Sequence, residues 1–363
     1  MGDAKVETKR LTYIDVAKGI GILLVVIAHH LKVSNHAVIN WIFSFHMPLF
    51  FIITGYLYSH NHNKDDAINI KYSIIKNLKR LMWPYLTFSI IAICWYVLFY
   101  KVLRFGGAED SLFIVSIKSL TTFGWLALWF LPVMFFVSVL FPIILKLKKS
   151  YLYFSLCIIL GMGMGIIIHY FKLYEAFHKS LILYYLLIYI FRIILAISFA
   201  GLGYYCKKII DSRKNAAITL SSGIISVGSI FIYKLLFNST GSFNLAWLTI
   251  RNPLIDIIAA TSGSIFIISI SKIIDKYDRV FKYLGKNSLI IMATHMFFPV
   301  EIAWIVVGVS RLGNWLNPTF CSIIVIIIEM IIEIGLIELI NRKLKFIIKC
   351  PFGKKEHYIT KHN

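Results

Sequence analysis

Long apolar runs recur along this chain of 363 residues and limit what it can fold into. Each run has about 20 residues, the length that a helix needs to cross the hydrocarbon core of a bilayer. Hydrophobic residues make up 59% of the chain, which is typical of integral membrane proteins. The hydropathy pattern predicts about ten spans, near 11–31, 40–60, 82–103, 125–147, 150–170, 181–206, 216–237, 245–271, 284–309 and 318–341. The sequence therefore predicts an all-α, polytopic membrane helix bundle.

Basic residues are distributed unevenly between the two sides that these spans define. The chain has 38 Lys and Arg residues and a formal charge of +21. If the N-terminus is cytoplasmic, about 28 of the 38 fall on the inner side and about 7 in outer loops, as the positive-inside rule requires. The positive charge therefore follows from the orientation of the chain in the membrane, and the basic residues on the inner side can contact the anionic lipids of the inner leaflet. Because no basic patch is interleaved with aromatic residues, nucleic-acid binding is not expected.

No linker or internal repeat divides the chain, so we expect one membrane domain over 1–345 and a basic cytoplasmic tail over 346–363. The first apolar run contains Asp15 and Lys18 and has no small-residue cleavage site, so we interpret it as a retained helix rather than a signal peptide. The five cysteines show no metal or redox spacing, and no metal site is expected.

Ionisable side chains within the first span are the most informative residues of the chain. Lys18 and His29 are eleven residues apart, which places them on one helix face with a rise of about 16 Å between them. Asp15 falls on the same side, whereas His30 turns away by about 100° and is expected to add only interface polarity. Ionisable groups in a membrane span are functional hypotheses by default. A plain i, i+3 pair of Asp15 with Lys18 is the structural alternative.

Two further histidines lie within predicted spans, and one of them is expected at the depth of His29. His46 lies about six residues inside the outer end of the second span, at a depth similar to that of His29, and His295 lies near the middle of the ninth. A single buried histidine usually only satisfies its own hydrogen bonds. Three of them, one in register with Lys18, favour a catalytic site.

The segment 68–81 has an apolar stripe opposite several basic residues, including Lys79 and Arg80. Two interpretations remain open: an interfacial helix on anionic lipid, or one wall of a phosphate-binding mouth.

Charged residues in later spans also need partners. Glu329 and Glu333 share one helix face, where two carboxylates repel unless a cation or a proton is present. We expect pairing with Arg192 or Arg251, ahead of a role for these groups in lining a sugar pocket.

Short motifs in the first three spans follow a known pattern. Asp15, Lys18 and Gly19 followed by His29 form the first motif, and HMPLFFIITGY, from His46 to Tyr56, forms the second. The third is KRLMWPYL, and weaker matches are LWFLPVMF, GLGYY and LGKNSLIIMATH. With these motifs the chain resembles the acyltransferase-3 family of integral membrane acyltransferases, in particular its sugar O-acetyltransferase-like branch, from Tyr13 to about Phe297.

The resemblance implies transfer of an acyl group, usually acetyl, from cytoplasmic acyl-CoA to a hydroxyl of a surface or secreted glycan or its lipid-linked precursor. Acetyl-CoA is then the donor, and the expected location is the bacterial cytoplasmic membrane, with both termini cytoplasmic. Expected partners are acyl-CoA, a sugar or polysaccharide acceptor, membrane lipids and, as further candidates, glycan-assembly enzymes. Many family members have Arg at the position of Lys18. The lysine keeps the positive charge, but it lacks the bidentate hydrogen-bonding geometry of an arginine.

Residue roles follow from the resemblance and from the chemistry. Acyl transfer to an alcohol needs a general base and a donor for the oxyanion. His29 is the predicted base, and His46 or His295 would orient the acceptor or donate to the oxyanion. Lys18, Lys79 and Arg80 are predicted to hold the CoA phosphates. Supporting residues are predicted to be Asp15, Tyr85, Arg192, Asn287 and Ser288.

A transporter or flippase of glycan or lipid-linked sugar is the alternative from another functional class, because it would also bury Arg, Glu and His residues. The sequence shows no inverted repeat that would favour it. Acetyl or succinyl as the acyl group, and direct transfer or a covalent intermediate, both stay open.

Overall fold

The computed structural model describes residues 10–33, 36–61, 69–104, 111–171, 181–238, 243–276, 278–310 and 316–351, with the side chains of 181 and 182 left out. These residues form a helical bundle with one isolated bridge, between Asn244 and Thr249, and no strand. The predicted all-α class is confirmed. Numbered in chain order, the helices are α1 (Thr12–His30), α2 (Ala37–Asn61), α3 (Ile70–Val102), α4 (Leu112–Leu120), α5 (Leu126–Lys146), α6 (Ser150–Tyr170), α7 (Leu181–Tyr205), α8 (Lys207–Ile210), α9 (Asn215–Phe237), α10 (Pro253–Ile274), α11 (Val280–Lys286), α12 (Ser288–Thr294), α13 (Phe298–Val309) and α14 (Pro318–Arg342).

Within the described residues, eight helices are long and apolar enough to cross a membrane. A ninth span results if α12 and α13, which meet at a bend of 63°, are counted together. The tenth predicted segment forms α14, a helix of 25 residues that falls outside those eight. The chain is a multi-pass membrane protein.

Helix α3 joins the segment 68–81 to the third predicted span, and it contains two π-helical turns, at Leu78–Met82 and Val97–Val102. Asn69 caps its start by accepting a hydrogen bond from the backbone N–H of Tyr72 at 2.9 Å. A π turn adds a residue to one turn of the helix, so side chains beyond Leu78 are rotated from their ideal α-helical positions.

Glycines bring the backbones of α1 and α11 into direct contact. A Cβ on Gly19 would lie 2.0 Å from the carbonyl oxygen of Phe281, and one on Gly285 would lie 1.7 Å from the carbonyl oxygen of Asp15. Only glycine allows so close an approach. The Gly of the first motif and the Gly of LGKN therefore meet at one helix crossing.

Gly285→Ala is expected to lower the thermal unfolding temperature by several degrees, because its Cβ would overlap a backbone atom that cannot rotate away. Overpacking of this kind costs about 1–3 kcal/mol. The matched control is Gly335→Ala in α14, where a Cβ meets nothing within 4 Å. That change should be neutral or stabilising, because Ala is the better helix former. Scanning fluorimetry of both variants in detergent measures the difference, and equal melting temperatures would contradict the crossing.

Helices α2 and α7 cross in the same way. A Cβ on Gly55 would lie 1.8 Å from the carbonyl oxygen of Ala200, and one on Gly203 would lie 2.0 Å from that of Ile52. The crossing fixes the half of α2 that follows His46, and it accounts for the glycines in two of the family-like motifs.

The predicted tail, 346–363, falls largely outside the described residues. Its first residues pack on α3, where Trp83 Nε1 donates to the carbonyl oxygen of Phe346 at 2.6 Å and Thr87 Oγ1 donates to that of Ile347 at 2.7 Å.

Candidate active site

Histidines from three parts of the fold converge at one point. The ring centroid of His29, in the last turn of α1, lies 5.4 Å from that of His295 and 6.3 Å from that of His46. His30 joins them, with its centroid 6.1 Å from that of His295. His295 follows the last residue of α12, where the chain bends into α13. We call these four residues the histidine cluster.

Backbone contacts fix the proton positions of two of these rings. His46 Nδ1 lies 3.0 Å from the carbonyl oxygen of Ile42, and His295 Nδ1 lies 2.9 Å from that of Ile291. A carbonyl can only accept, so each Nδ1 carries the hydrogen and each neutral ring presents Nε2 as an acceptor. In this form neither ring can donate to an oxyanion, in contrast to one of the two roles expected for them.

The surroundings of His29 and His295 differ. His295 is fully buried, and its Nε2 has no hydrogen-bond partner among the described residues. His29 is exposed although two rings of α2 and the ring of His295 lie around it. No group of three or more His, Cys, Asp or Glu side chains in the described part of the chain could hold a metal ion.

A pair of buried glutamates lies beside the histidine cluster, and sequence reasoning missed this contact. Glu329 Oε1 lies 3.5 Å from His30 Nε2, and Glu329 is fully buried. Glu333 accepts a hydrogen bond at 2.8 Å from Oγ1 of Thr294, the residue before His295. The expectation that His30 provides only interface polarity is therefore wrong. The available signal was the i, i+4 spacing of two carboxylates that needed partners.

Arg192 does not pair with these glutamates, so the part of the expectation that concerns Arg192 is wrong. Arg192 is 2% exposed, and its Nη2 donates to the carbonyl oxygen of Ala246. Its guanidinium lies over the ring of Trp129 at 4.5 Å and over that of Phe123 at 5.5 Å. Tyr85, also buried, donates its hydroxyl to the carbonyl oxygen of Thr121. Both predicted supporting residues thus hold the segment 121–129.

A cavity of about 750 Å³ opens at the end of the bundle where α1 begins. Four cationic residues contribute to its wall, and we call this end the basic mouth: Lys18, Lys76, Arg80 and Lys286. The other end of the cavity is apolar, with Phe50, Phe130 and Met292 in its wall. Residues 69–81 therefore contribute a wall of this mouth, as in the second of the two interpretations, and phosphate binding there stays a prediction.

Other predicted residues take different places around this cavity. Ser288 contributes to its wall, and Asn287 fixes the junction of α11 and α12 by donating to the carbonyl oxygen of Tyr283 at 2.9 Å. Lys79 is exposed and does not line the cavity. Adjacent residues of a helix point in different directions, and its neighbour Arg80 does line the cavity.

Asp15 has a different partner from the one expected. Its Oδ2 lies 2.8 Å from Nε of Arg10, just before α1, and this hydrogen bond raises the pKa of the Arg10 guanidinium. Among the described residues, Asp15 and Lys18 form no ion pair within 4 Å. Lys18 instead contributes to the wall of the cavity.

A family model described as an acyltransferase domain matches residues 11–334. The chain belongs to the acyltransferase-3 family. The match covers nearly the whole chain, including the cavity wall, the histidine cluster and both buried glutamates. Neither a curated protein nor a solved structure matches the chain. The protein is a membrane acyltransferase.

In this acyltransferase the apolar end of the cavity lies close to the histidine cluster. Phe50 follows His46 by four residues on α2, and Met292 precedes His295 by three residues, so the apolar end of the cavity lies about one helical turn from the histidine cluster on both elements. Cations at the basic mouth can hold an anionic group, while the apolar end can hold an extended chain whose tip approaches the histidines.

Proposed function

We propose that this acyltransferase transfers an acyl group, acetyl in the first instance, from acyl-CoA at the basic mouth to a hydroxyl of a surface or secreted glycan or its lipid-linked precursor. The observation that carries the proposal is the single cavity that joins four cationic residues to an apolar end one turn from the histidine cluster. The protein would lie in the bacterial cytoplasmic membrane, and the excess of basic residues on one side favours an orientation with the basic mouth and both termini in the cytoplasm.

Donor binding would use both ends of the cavity. Lys18 and Arg80 hold the phosphates of CoA, with Lys76 and Lys286 contributing, because cations bind phosphate through charge-assisted hydrogen bonds. The pantetheine arm lies along the apolar walls. The rise of about 16 Å between Lys18 and His29 on α1 is comparable to the reach of that arm.

The acyl group passes directly from CoA to the acceptor hydroxyl. His29 takes the proton of the acceptor hydroxyl while the hydroxyl oxygen attacks the thioester carbonyl carbon. A C–O bond forms, the C–S bond breaks, and protonated His29 returns the proton to the CoA thiolate as it leaves. His295 Nε2, an acceptor without a partner among the described residues, is a positioning group that receives the N–H of His29. Glu329 lies behind His30 and stabilises the positive charge that His29 gains.

The proposal is tested with purified protein in lipid nanodiscs, acetyl-CoA radiolabelled in the acetyl group, and envelope glycan from the producing strain stripped of esters by mild alkali. We expect glycan-dependent release of CoA thiol and alkali-labile radiolabel on the glycan. A flippase would consume no acetyl-CoA, so the absence of both signals would overturn the proposal. Label recovered on the protein after a single turnover would overturn direct transfer.

Arg80→Gln is expected to raise the KM for acetyl-CoA about tenfold or more with little change in kcat, because one hydrogen bond to a charged group contributes about 1.5–3 kcal/mol. Lys79→Gln is the matched control: it removes the same charge from the adjacent, exposed position that does not line the cavity. Initial rates over a range of acetyl-CoA concentrations give both constants. If Lys79→Gln raises KM as much, the effect is one of general surface charge rather than of the cavity.

A further inference from the structure

Aromatic and charged side chains form a second cluster beyond the end of α1, opposite the basic mouth. The carboxylate of Glu301, on α13, accepts hydrogen bonds from Trp95 Nε1 and, at 2.5 Å, from the hydroxyl of Tyr100. Trp304 lies three residues further along α13 and therefore on the same side of that helix. The ammonium of Lys32 lies 4.2 Å from the centroid of the Trp304 ring. We call these five residues the aromatic platform.

The aromatic platform continues directly from the elements that carry the histidine cluster. Lys32 follows His29 by three residues, just beyond the end of α1, and its backbone N–H donates to Ser322 Oγ on α14 at 3.0 Å. Glu301 follows His295 by six residues, one turn into α13. His29 is exposed, and Lys18 lies at the other end of the same helix. The platform thus lies on the side of the histidine cluster away from the basic mouth.

The hydrogen bonds within the platform are more specific than those of an ordinary aromatic residue at the membrane interface. An interfacial tryptophan usually points its N–H at lipid headgroups or water. Here the N–H of Trp95 and the hydroxyl of Tyr100 both donate to Glu301, so the position of its carboxylate is fixed before any ligand arrives. Such preorganisation lowers the entropic cost of binding. Trp304 is partly exposed and Lys32 is exposed, so both are accessible to a ligand.

We propose that the aromatic platform binds one sugar ring of the acceptor and presents its hydroxyl to His29, an inference that rests on the proposed function. The apolar C–H face of the sugar stacks on the indole of Trp304 and displaces the Lys32 ammonium from it. The hydroxyl groups of the sugar are then bound by Lys32 and by the free lone pairs of Glu301. Large aromatic surfaces with a few fixed polar groups are the usual lining of a small-molecule site.

Trp304→Ala tests the platform, with Trp247→Ala as the matched control. Trp247 is exposed, and it belongs to the segment 243–252, which contacts α6 and α7 rather than the histidine cluster. We expect Trp304→Ala to raise the concentration of ester-stripped envelope glycan that gives half-maximal transfer about tenfold. The KM for acetyl-CoA and the glycan-independent release of thiol should stay within about twofold. Lys32→Gln, an exposed change with little risk to folding, should raise the same glycan concentration.

Direct binding of the stripped glycan to protein in nanodiscs, measured by microscale thermophoresis, separates this inference from the proposed function. Glycan binding that is lost in Trp304→Ala and kept in Trp247→Ala supports the platform even if no acyl group is transferred, in which case only the proposed function fails. Equal glycan affinity of the wild type, Trp304→Ala and Lys32→Gln would overturn the platform even if acyl transfer is confirmed.

Discussion

Replacing His29 with alanine is expected to lower kcat for acyl transfer by about 10²–10⁴-fold, the usual contribution of a general base. His29 is the exposed member of the histidine cluster, and its ring lies within 6.3 Å of both His46 and His295. The cations of the basic mouth lie at the other end of α1, so the KM for acetyl-CoA should change little. Thiol release and label transfer at saturating donor measure the loss.

The control for this variant is His36→Ala, which removes an exposed imidazole just before α2, beyond the same end of α1. That change should leave kcat within about twofold, as expected for a surface substitution. His29→Gln, which keeps a polar side chain of similar size but supplies no base, should be as inactive as the alanine variant. A His29→Gln variant with wild-type turnover would remove His29 from the reaction.

Much of the site could be predicted from the sequence because its geometry is local. The spacing of Lys18 and His29 depends only on helix rise and periodicity. His46 was predicted to lie near His29 because neighbouring antiparallel helices place residues at matching depths, and their ring centroids lie 6.3 Å apart. The ring centroids of His295 and His29 lie only 5.4 Å apart, although His295 was predicted near the midplane and His29 near the outer end. That prediction treated the ninth span as one straight helix, and the structure has a bend of 63° between α12 and α13.

Contacts between distant helices could not be predicted in the same way. His30 turns away from the face of His29, but this argument does not reveal that α14, about 300 residues later, packs on that side. Arg192 was expected to need a carboxylate, whereas aromatic rings and one backbone carbonyl surround it. Sequence reasoning assigned both Lys79 and Arg80 to the mouth, but adjacent residues of a helix point in different directions and, of these two, only Arg80 lines the cavity.

Glu329→Gln is expected to lower kcat about tenfold while leaving the KM for acetyl-CoA and the fold intact. When His29 takes a proton, the cluster gains a positive charge, and the buried carboxylate lies 3.5 Å from Nε2 of the adjacent His30. The positive charge forms on His29, whose ring centroid lies 6.3 Å from that of His30. At about 10 Å and an effective dielectric constant of about 20, a carboxylate stabilises a positive charge by about 1.7 kcal/mol. Because about 1.4 kcal/mol corresponds to a factor of ten, this gives about a tenfold decrease.

Melting temperature distinguishes this catalytic role from a structural one. Burying a carboxylate is costly, so the neutral Gln should leave the unfolding temperature unchanged or raise it. Glu338→Gln is the control on the same helix: its carboxylate is 41% exposed and bonds Arg342 Nε at 2.8 Å and the hydroxyl of Tyr283 at 2.7 Å, away from the cluster. That variant should keep full kcat. A Glu329→Gln protein that melts several degrees lower yet transfers acyl groups at the wild-type rate would show that Glu329 only holds α14 against α1.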